Sequence, residues 1–162
     1  MLILFILTVF PCFSQAEDLS TKGPGFFIGV MTEGNGYGRE GIGFGGGLLL
    51  GMGDANIGIG LRALYIMELG ESNISAMEIA IFLRVYLFGA DSPTGFFIQA
   101  DGGAFILSYD EDIYITAPIG GFSGGITFGY RFPLGNHWFV EPILRAGYPY
   151  IAAAGVSFGY KF

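Results

Sequence analysis

The C-terminal stretch Ala154-Gly155-Val156-Ser157-Phe158-Gly159-Tyr160-Lys161-Phe162 decides the fold of this 162-residue chain. Every second residue of the stretch, counted back from Phe162, is apolar, and the residues between them are small or polar. Because side chains alternate between the two faces of a strand, this period of two predicts a β-strand with one apolar face. The simplest alternative is an ordinary edge strand that happens to end the chain.

The composition is too apolar for a water-soluble domain. Apolar residues make up 52% of the chain and charged residues only 13%, where about 25% charged is usual. No apolar run reaches the roughly 18 residues that a membrane helix needs. The longest candidate, 79–89, is interrupted by Arg84. A closed β-barrel is the other structure that satisfies every backbone group in lipid.

Seven further strand-like segments precede the C-terminal one, and turn residues separate them. Such strands cross about 25–30 Å of hydrocarbon when they are tilted. The predicted fold class is therefore all-β, an eight-stranded antiparallel up-and-down transmembrane β-barrel. Pro142 is the exception, because proline lacks a ladder donor, and we expect a bulge or a rearranged partner there. The predicted strands are 25–33, 41–51, 55–67, 75–88, 95–109, 119–132, 137–148 and 154–162.

A soluble ligand-binding barrel of the lipocalin or streptavidin type is the structural alternative. Its outward register has to be polar, whereas here one register is almost purely aliphatic and aromatic, and the charges and glycines share the other. Water on the apolar register would wet far more than the few hundred Å² that a soluble monomer tolerates. We therefore expect lipid against this register, with interfacial aromatics near strand ends. They are Phe26, Tyr130, Phe132, Trp138, Tyr148 and Phe162.

Residues 1–16 have the pattern of a secretory signal peptide. The apolar stretch 1–13 is followed by Ser14-Gln15-Ala16, a small-x-small cleavage site. No Lys or Arg lies near the start, which leaves the true translation start open. The only cysteine, Cys12, lacks the small residue that precedes a lipoprotein cysteine, so a lipid anchor is a minor alternative. The mature chain, 17–162, is expected to have no disulfide and no thiolate metal site.

The terminal aromatic, the strand count, the two registers and the leader together resemble the small eight-stranded bacterial outer-membrane β-barrels, the group of the OmpA transmembrane domain, OmpX and OmpW. The resemblance implies a signal peptide, 1–16, and an outer-membrane barrel domain, 17–162. It also implies export to the bacterial outer membrane with the help of periplasmic chaperones and the barrel-assembly machinery. We expect a monomer in outer-membrane lipid. In this family the last strand is an assembly signal, here Val156, Phe158, Tyr160 and Phe162.

The same resemblance implies how the barrel is oriented. An even number of strands puts both termini on one side, which this family places in the periplasm. The turns at Gly53, Ser92 and Gly135 then face the periplasm. The loops near positions 36, 71, 111 and 151 face outward, and all of them are short for this class.

Charges at cross-strand spacing on the inward register predict interior ion pairs. Pairing the strands about their turns puts Arg84 opposite or beside Asp101, and it puts Arg62 and Glu78 within a diagonal of each other. With only eight strands, the interior is just wide enough for side chains. The prediction is a lumen plugged by ion pairs, and the alternative is a gated path lined by the same charges. The residues are Arg62, Glu78, Arg84, Asp101, Arg131, Glu141, Arg145 and Lys161.

The pairing of the last two strands depends on where their turn lies. Centring that turn on Ile151 sets Glu141 opposite Lys161 and Arg145 opposite Ser157. Arg131 then reaches Glu141 diagonally from the sixth strand.

Other kinds of chemistry have little support. The net charge of -7, with no clusters of Lys and Arg, argues against nucleic acid. The single histidine, His137, has no evident serine or carboxylate partner in register, so no catalytic residue and no enzyme activity are expected. The acidic run 110–112 is interpreted as a solvated loop, and the glycines in 43–47 lack the helix and lysine of a phosphate loop. No cofactor or metal is expected.

The expected function is structural or surface interaction in the outer membrane. The alternative, which the resemblance to OmpW implies, is a passive channel or a lateral-diffusion path for small apolar molecules. The fold by itself does not choose between them.

Overall fold

Eight strands form a closed barrel in the computed structural model, which describes residues 25–37, 41–54, 56–69, 74–87, 94–109 and 119–162. Each strand pairs antiparallel with the next, and β8 returns to pair with β1. The predicted fold class is confirmed, whereas the predicted signal peptide lies outside the described residues. The strands are β1 Gly25–Tyr37, β2 Gly41–Gly53, β3 Ile57–Glu68, β4 Ile74–Tyr86, β5 Gly95–Tyr109, β6 Ile119–Leu134, β7 Trp138–Tyr148 and β8 Ala152–Lys161.

The two ends of the barrel differ in their connections. We call the end where β1 joins β2 and β7 joins β8 the loop side, and the end that holds Gly25 and Lys161 the turn side. Most strand bounds agree with the sequence prediction within two residues, but β1 continues four residues further, to Tyr37. Its extension pairs with the start of β2, where Asn35 lies opposite Gly43. Within the described ranges, no helix is long and apolar enough to cross a membrane.

The outward face of the wall is apolar on every strand. Side chains such as Ile42, Ile59, Ile81 and Phe128 are about half exposed, and they come from four different strands. No Asp, Glu, Lys or Arg occupies an outward-facing position of the eight described strands. In water this surface would be far larger than a soluble monomer exposes. The outward register is therefore suited to hydrocarbon, as the sequence predicts.

Aromatic side chains gather on the outer face at the turn side. Trp138 stacks on Phe158, with ring centroids 5.1 Å apart, and makes an edge contact with Tyr160 at 4.9 Å. Next to them, Tyr130 contacts Phe132 at 4.3 Å. Such girdles mark the membrane interface in transmembrane barrels. Of the aromatics predicted from the sequence to be interfacial, only Tyr148 lies at the loop side.

Pro142 interrupts the β6–β7 ladder without a bulge. Gly129 pairs with Ile143 and Phe132 pairs with Val140, and both pairs belong to one unchanged register. Between them the pairing is missing, because a proline has no N–H to donate to the neighbouring strand. On its other edge Pro142 keeps its place opposite Val156 of β8. Of the two outcomes expected from the sequence, the bulge is absent; the ladder instead lacks two pairs within an unchanged register.

Candidate functional site in the barrel lumen

The lumen holds buried charges of both signs in equal number. In the part of the chain that the structure describes, four arginines and four carboxylates are at least nine-tenths buried. Burial of isolated charges is costly, and such groups are tolerated only when they are paired and hydrogen-bonded. The hydrogen bonds among the described residues divide this set into two networks at different heights in the barrel. The eight residues are Glu33, Arg62, Glu78, Arg84, Asp101, Arg131, Glu141 and Arg145.

The loop-side network joins two arginines to three carboxylates. Arg62 Nη2 lies 2.7 Å from Glu78 Oε1 and 2.7 Å from Asp101 Oδ1. Arg145 Nη1 donates to Glu78 Oε2 at 3.0 Å, and Arg145 Nη2 donates to Glu33. Glu78 therefore connects the two guanidinium groups. The network spans the lumen, because its members come from β1, β3, β4, β5 and β7.

The turn-side network places two guanidinium groups on one carboxylate. Glu141 Oε1 accepts from Arg84 Nη1 at 2.6 Å and from Arg131 Nε at 2.5 Å. Glu141 Oε2 accepts from the Ser157 hydroxyl at 2.9 Å. Arg84 also donates to Gln99 Oε1 from Nε and Nη2, at 3.1 and 2.9 Å. This network carries one more positive than negative charge.

Aromatic rings enclose the turn-side arginines. The Arg84 guanidinium carbon lies 3.8 Å from the ring centroid of Phe97, and that of Arg131 lies 3.9 Å from the ring centroid of Phe139. Arginine above an aromatic face gains a cation–π attraction that grows when the pair is desolvated. The rings thus replace part of the water that the two cations lose.

Each inward phenylalanine ring lies over a glycine of the adjacent strand. Within the narrow barrel, a Cβ at Gly129 would lie 2.3 Å from the Phe97 ring, and one at Gly159 would lie 2.2 Å from the Phe139 ring. The ring therefore occupies space that only glycine leaves free. The directly paired residues are Phe27 with Gly51, Phe82 with Gly60, Phe97 with Gly129, Phe105 with Gly121, and Phe139 with Gly159.

Two of the predicted neighbour pairs meet in the structure. Arg62 and Glu78 are in contact, and so are Arg131 and Glu141. Of the two predicted placements for Arg84, opposite or beside Asp101, the structure has the second on the β4–β5 ladder. Arg84 nevertheless forms its ion pair with Glu141, and Asp101 forms its ion pair with Arg62. A guanidinium on a long side chain reaches across a narrow lumen as easily as along its wall.

The predicted register of β7 and β8 is wrong. Glu141 lies opposite Ser157 rather than Lys161, and Arg145 lies opposite Ala153 rather than Ser157. The ladder is centred on Pro149 instead of Ile151, so every partner shifts by four residues. Proline has a fixed φ and no N–H, which suits a turn position. Lys161 consequently lies at the turn-side mouth, away from Glu141.

The sequence prediction omitted two buried members of the loop-side network, Glu33 and Asn35. Glu33 is 1% exposed, and its carboxylate accepts a hydrogen bond from Arg145 Nη2. Asn35 Oδ1 lies 3.5 Å from the same Arg145 nitrogen. Both residues share the inward parity of β1: Glu33 is the last residue of the predicted strand, 25–33, and Asn35 lies two residues beyond it. That parity was the signal available in the sequence. The predicted strand ends at Glu33, whereas β1 continues to Tyr37.

His137 and the outward-facing side chains of the C-terminal strand lie outside the lumen networks, whereas Ser157 of that strand donates to Glu141. His137 Nδ1 lies 3.1 Å from the Lys161 carbonyl oxygen, and its ring stacks on Tyr160 at 5.2 Å. Val156 and Phe158 are exposed on the outer face of β8, the strand that closes the barrel against β1, and Phe162, directly after β8, is exposed as well. Among the described residues, no cluster of His, Cys, Asp and Glu has the arrangement of a metal site.

Comparison with solved structures finds barrels of the same architecture. The structure is similar to Neisserial surface protein A (NspA), with a TM-score of 0.70, 12% identity, and coverage of 86% of this chain and 98% of that one. It is also similar to the N-terminal β-barrel domain of Pseudomonas aeruginosa OprF, with a TM-score of 0.53, 14% identity, and coverage of 84% and 97%. The outer membrane protein OprG from Pseudomonas aeruginosa gives a TM-score of 0.50, 15% identity, and coverage of 86% and 96%.

No protein-family model matches the chain, and no curated protein sequence matches it. At such low identities the structural matches establish the fold. The chain has the fold of the small eight-stranded outer-membrane β-barrels, and the resemblance predicted from the sequence is confirmed at that level.

Proposed function

We propose that this protein is an integral outer-membrane barrel with a structural or surface-interaction role, and that its lumen is closed by ion pairs. The observation that carries the proposal is the combination of an uncharged outward face with a lumen crossed by charge networks. Lipid provides no partner for a charge, and all buried charged side chains of the described strands lie on the inward register. The outer-membrane neighbours of the same fold support the location.

Closure of the lumen follows from what fills it. Large side chains that are at most 2% exposed project inward from four different strands. They are Arg62, Phe82, Arg84, Phe97 and Glu141. Interdigitated, paired side chains of this kind leave no continuous water-filled path in a barrel of eight strands. A permanently open pore would instead expose its lining charges to water. The proposal therefore assigns the ion pairs a structural role.

The proposal includes the route of assembly and the absence of catalysis. Export by the 1–16 leader, delivery by periplasmic chaperones and insertion by the barrel-assembly machinery, as a monomer, fit the apolar outer face of β8. Its assembly signal would be Val156, Phe158, Tyr160 and Phe162. His137 contacts a backbone oxygen and an aromatic ring, which supports a structural role for the only histidine.

The test is fractionation of a bacterial host that expresses the chain with an epitope inserted within 110–118, between β5 and β6. The expected result is a protein in the outer-membrane fraction, with heat-dependent gel mobility and the epitope accessible on intact cells. Recovery in the inner membrane, or an epitope that antibodies detect only after lysis, would refute the proposal. An insertion at the opposite end, within 88–93, is the matched control, since it should be hidden from the cell exterior.

One observation favours the alternative of a lateral path for small apolar molecules. The missing β6–β7 pairing beside Pro142 is a weak point in the described wall. The discriminating experiment is uptake of an apolar dye into vesicles that contain the protein or its Pro142→Val variant. A lateral path predicts uptake that the variant reduces, whereas the structural role predicts the same slow uptake with both.

A further inference from the structure

The outward face of β4 and β5 has a ridge beside a groove. On β4, three consecutive outward positions hold large aliphatic side chains that are about half exposed. The outward positions directly opposite them on β5 hold small residues. We call the first set the β4 ridge and the second set the β5 groove. The two have the same length, because each ridge residue is paired with one groove residue. The pairs are Ile79 with Ala104, Ile81 with Gly102, and Leu83 with Ala100.

An aromatic ring borders the groove on its other side. Phe122 of β6 lies opposite Ala104 and is 72% exposed. Its ring leans toward the floor of the groove, since a Cβ built on Gly102 would lie 3.5 Å from the ring. The groove therefore has a floor of small residues between two walls of large side chains, the β4 ridge and Phe122. Exposed aromatic residues of this kind are frequent anchors of protein interfaces.

Two hydroxyl groups lie at the loop-side end of the same ladder. Ser75 of β4 is directly opposite Ser108 of β5. Their chain neighbours Ala76 and Leu107 pack inward against the core, so the two serines are on the outward register. In the described strands, Thr32 of β1 is the only other serine or threonine on that register. Within membranes, hydroxyl groups form hydrogen bonds between neighbouring protein elements.

The ridge, the groove and the serine pair are together complementary to a second copy of themselves. A two-fold axis along the membrane normal, between β4 and β5, places β4 of each copy against β5 of the other. Both ridges then enter the facing grooves, and the Ser75 and Ser108 hydroxyls of the two copies meet near the axis. Such an isologous contact uses the same patch on both copies and closes as a dimer. Because the hydrophobic effect does not drive association in lipid, close approach over small residues such as Gly102 supplies the packing energy.

We propose that the outward face of β3–β6 binds a second copy of this chain within the membrane, after each copy has been inserted as a monomer. In the described strands this face carries no Asp, Glu, Lys or Arg, so no charge opposes the contact. Four strands are about 19 Å wide, and the apolar band of such barrels is about 25 Å tall. The two copies together therefore bury about 950 Å², close to the roughly 1,000 Å² that a specific interface needs. The inference rests on the proposed membrane location.

The test is energy transfer between donor-labelled and acceptor-labelled copies in vesicles of phosphatidylethanolamine and phosphatidylglycerol. The labels are attached to an Asn136→Cys variant, because the turn between β6 and β7 lies outside the contact of ridge and groove. The expected result is transfer that survives dilution with added lipid and falls when unlabelled copies compete. Transfer that falls in proportion to the dilution, as random encounters require, would overturn the proposal.

Heat-dependent gel mobility of protein recovered from the same vesicles separates two failures. An inserted barrel without transfer refutes the dimer alone. Protein that does not insert refutes the membrane location on which the dimer rests.

Matched variants locate the contact. Ala100→Leu fills the β5 groove and is expected to weaken dimerisation about tenfold or more, because the overpacked walls have to separate. Ala154→Leu makes the same change on β8, on the opposite wall of the barrel, and should leave dimerisation unchanged. Both alanines are exposed on the outer face, so both variants should keep the heat-dependent mobility. Equal transfer in Ala100→Leu and the unchanged protein would contradict the assignment.

A second measurement leaves the ridge and the groove unaltered. Ser108→Cys puts a thiol next to the proposed axis, and Ala152→Cys puts one at the same end of the opposite wall. Mild oxidation in vesicles is expected to give a disulfide-linked dimer with Ser108→Cys and none with Ala152→Cys. Linking of Ala152→Cys that equals or exceeds that of Ser108→Cys, or no linking of either variant, would refute the proposed face.

Discussion

Replacing Glu141 with alanine tests the energetic role of the turn-side network most sharply. Glu141 is fully buried and accepts from Arg84, Arg131 and Ser157. The substitution leaves two buried guanidinium groups without any carboxylate partner among the described residues. Removing one member of a buried ion pair costs about 3–5 kcal/mol, because the remaining charge stays desolvated. Two cations lose their partner, and their cation–π contacts with the surrounding rings remain, so the expected cost is about 4 kcal/mol, within that range.

The loss of unfolding free energy in two variants separates the contribution of the Glu141 charge from that of its hydrogen bond with Ser157. Ser157→Ala removes only the hydroxyl that donates to Glu141 Oε2 at 2.9 Å. Its expected cost is about 1.5–3 kcal/mol, the usual range for a hydrogen bond to a charged group. A double-mutant cycle combines Glu141→Ala with Arg131→Met and measures the coupling energy between these two residues. We expect it to be roughly 2 kcal/mol, because the residues are in direct contact. The double variant should therefore be more stable than the two single costs suggest.

The assay is equilibrium unfolding in urea with the barrel in neutral detergent. Trp138, the only tryptophan, lies in the outer girdle and reports the loss of the barrel through its fluorescence. Coincident unfolding and refolding curves are required before a free energy is derived. A Glu141→Ala variant within about 0.5 kcal/mol of the unchanged protein, the usual range for a surface substitution, would refute the reasoning.

Three further predictions follow from the same structure. Glu33→Gln should cost less than Glu141→Ala, about 1–2 kcal/mol, because Arg145 keeps its second carboxylate; equal urea midpoints for the two variants would contradict the ranking. Gly103→Ala should destabilise by about 2 kcal/mol or more, since its Cβ would lie 2.0 Å from a β4 carbonyl oxygen, whereas Gly102→Ala, 3.5 Å from its nearest neighbour, should be tolerated; similar heat-modifiable yields would argue against the clash. Deletion of Phe162 should lower outer-membrane levels measured by immunoblot, and unchanged levels would remove the assembly signal from the argument.

The fold and the faces of each strand could be predicted because their signal is local. The alternation of Val156, Phe158 and Tyr160 with small or polar residues depends only on the pleat of one strand. The same parity assigned Arg62, Arg84 and other charges to the lumen, where they lie.

The partners of those charges could not be predicted, because they depend on geometry that is not local. The β7–β8 register is set by the turn around Pro149, and an error of two residues in its centre moved Lys161 opposite Glu141. The contact between Arg84 and Glu141 crosses the lumen from β4 to β7. It requires the diameter and stagger of the closed barrel, which no single strand pattern contains.

Planar-bilayer conductance of the purified protein tests the closed lumen most directly. The ion-pair networks predict silence over a range of voltages, and the Glu141→Ala variant, if it inserts, should give only brief and irregular currents. Insertion is verified beforehand by the heat-dependent gel mobility of protein recovered from the same vesicles. Discrete, reproducible channels from the unchanged protein would show a continuous water path through the lumen and would contradict the structural role of the ion pairs.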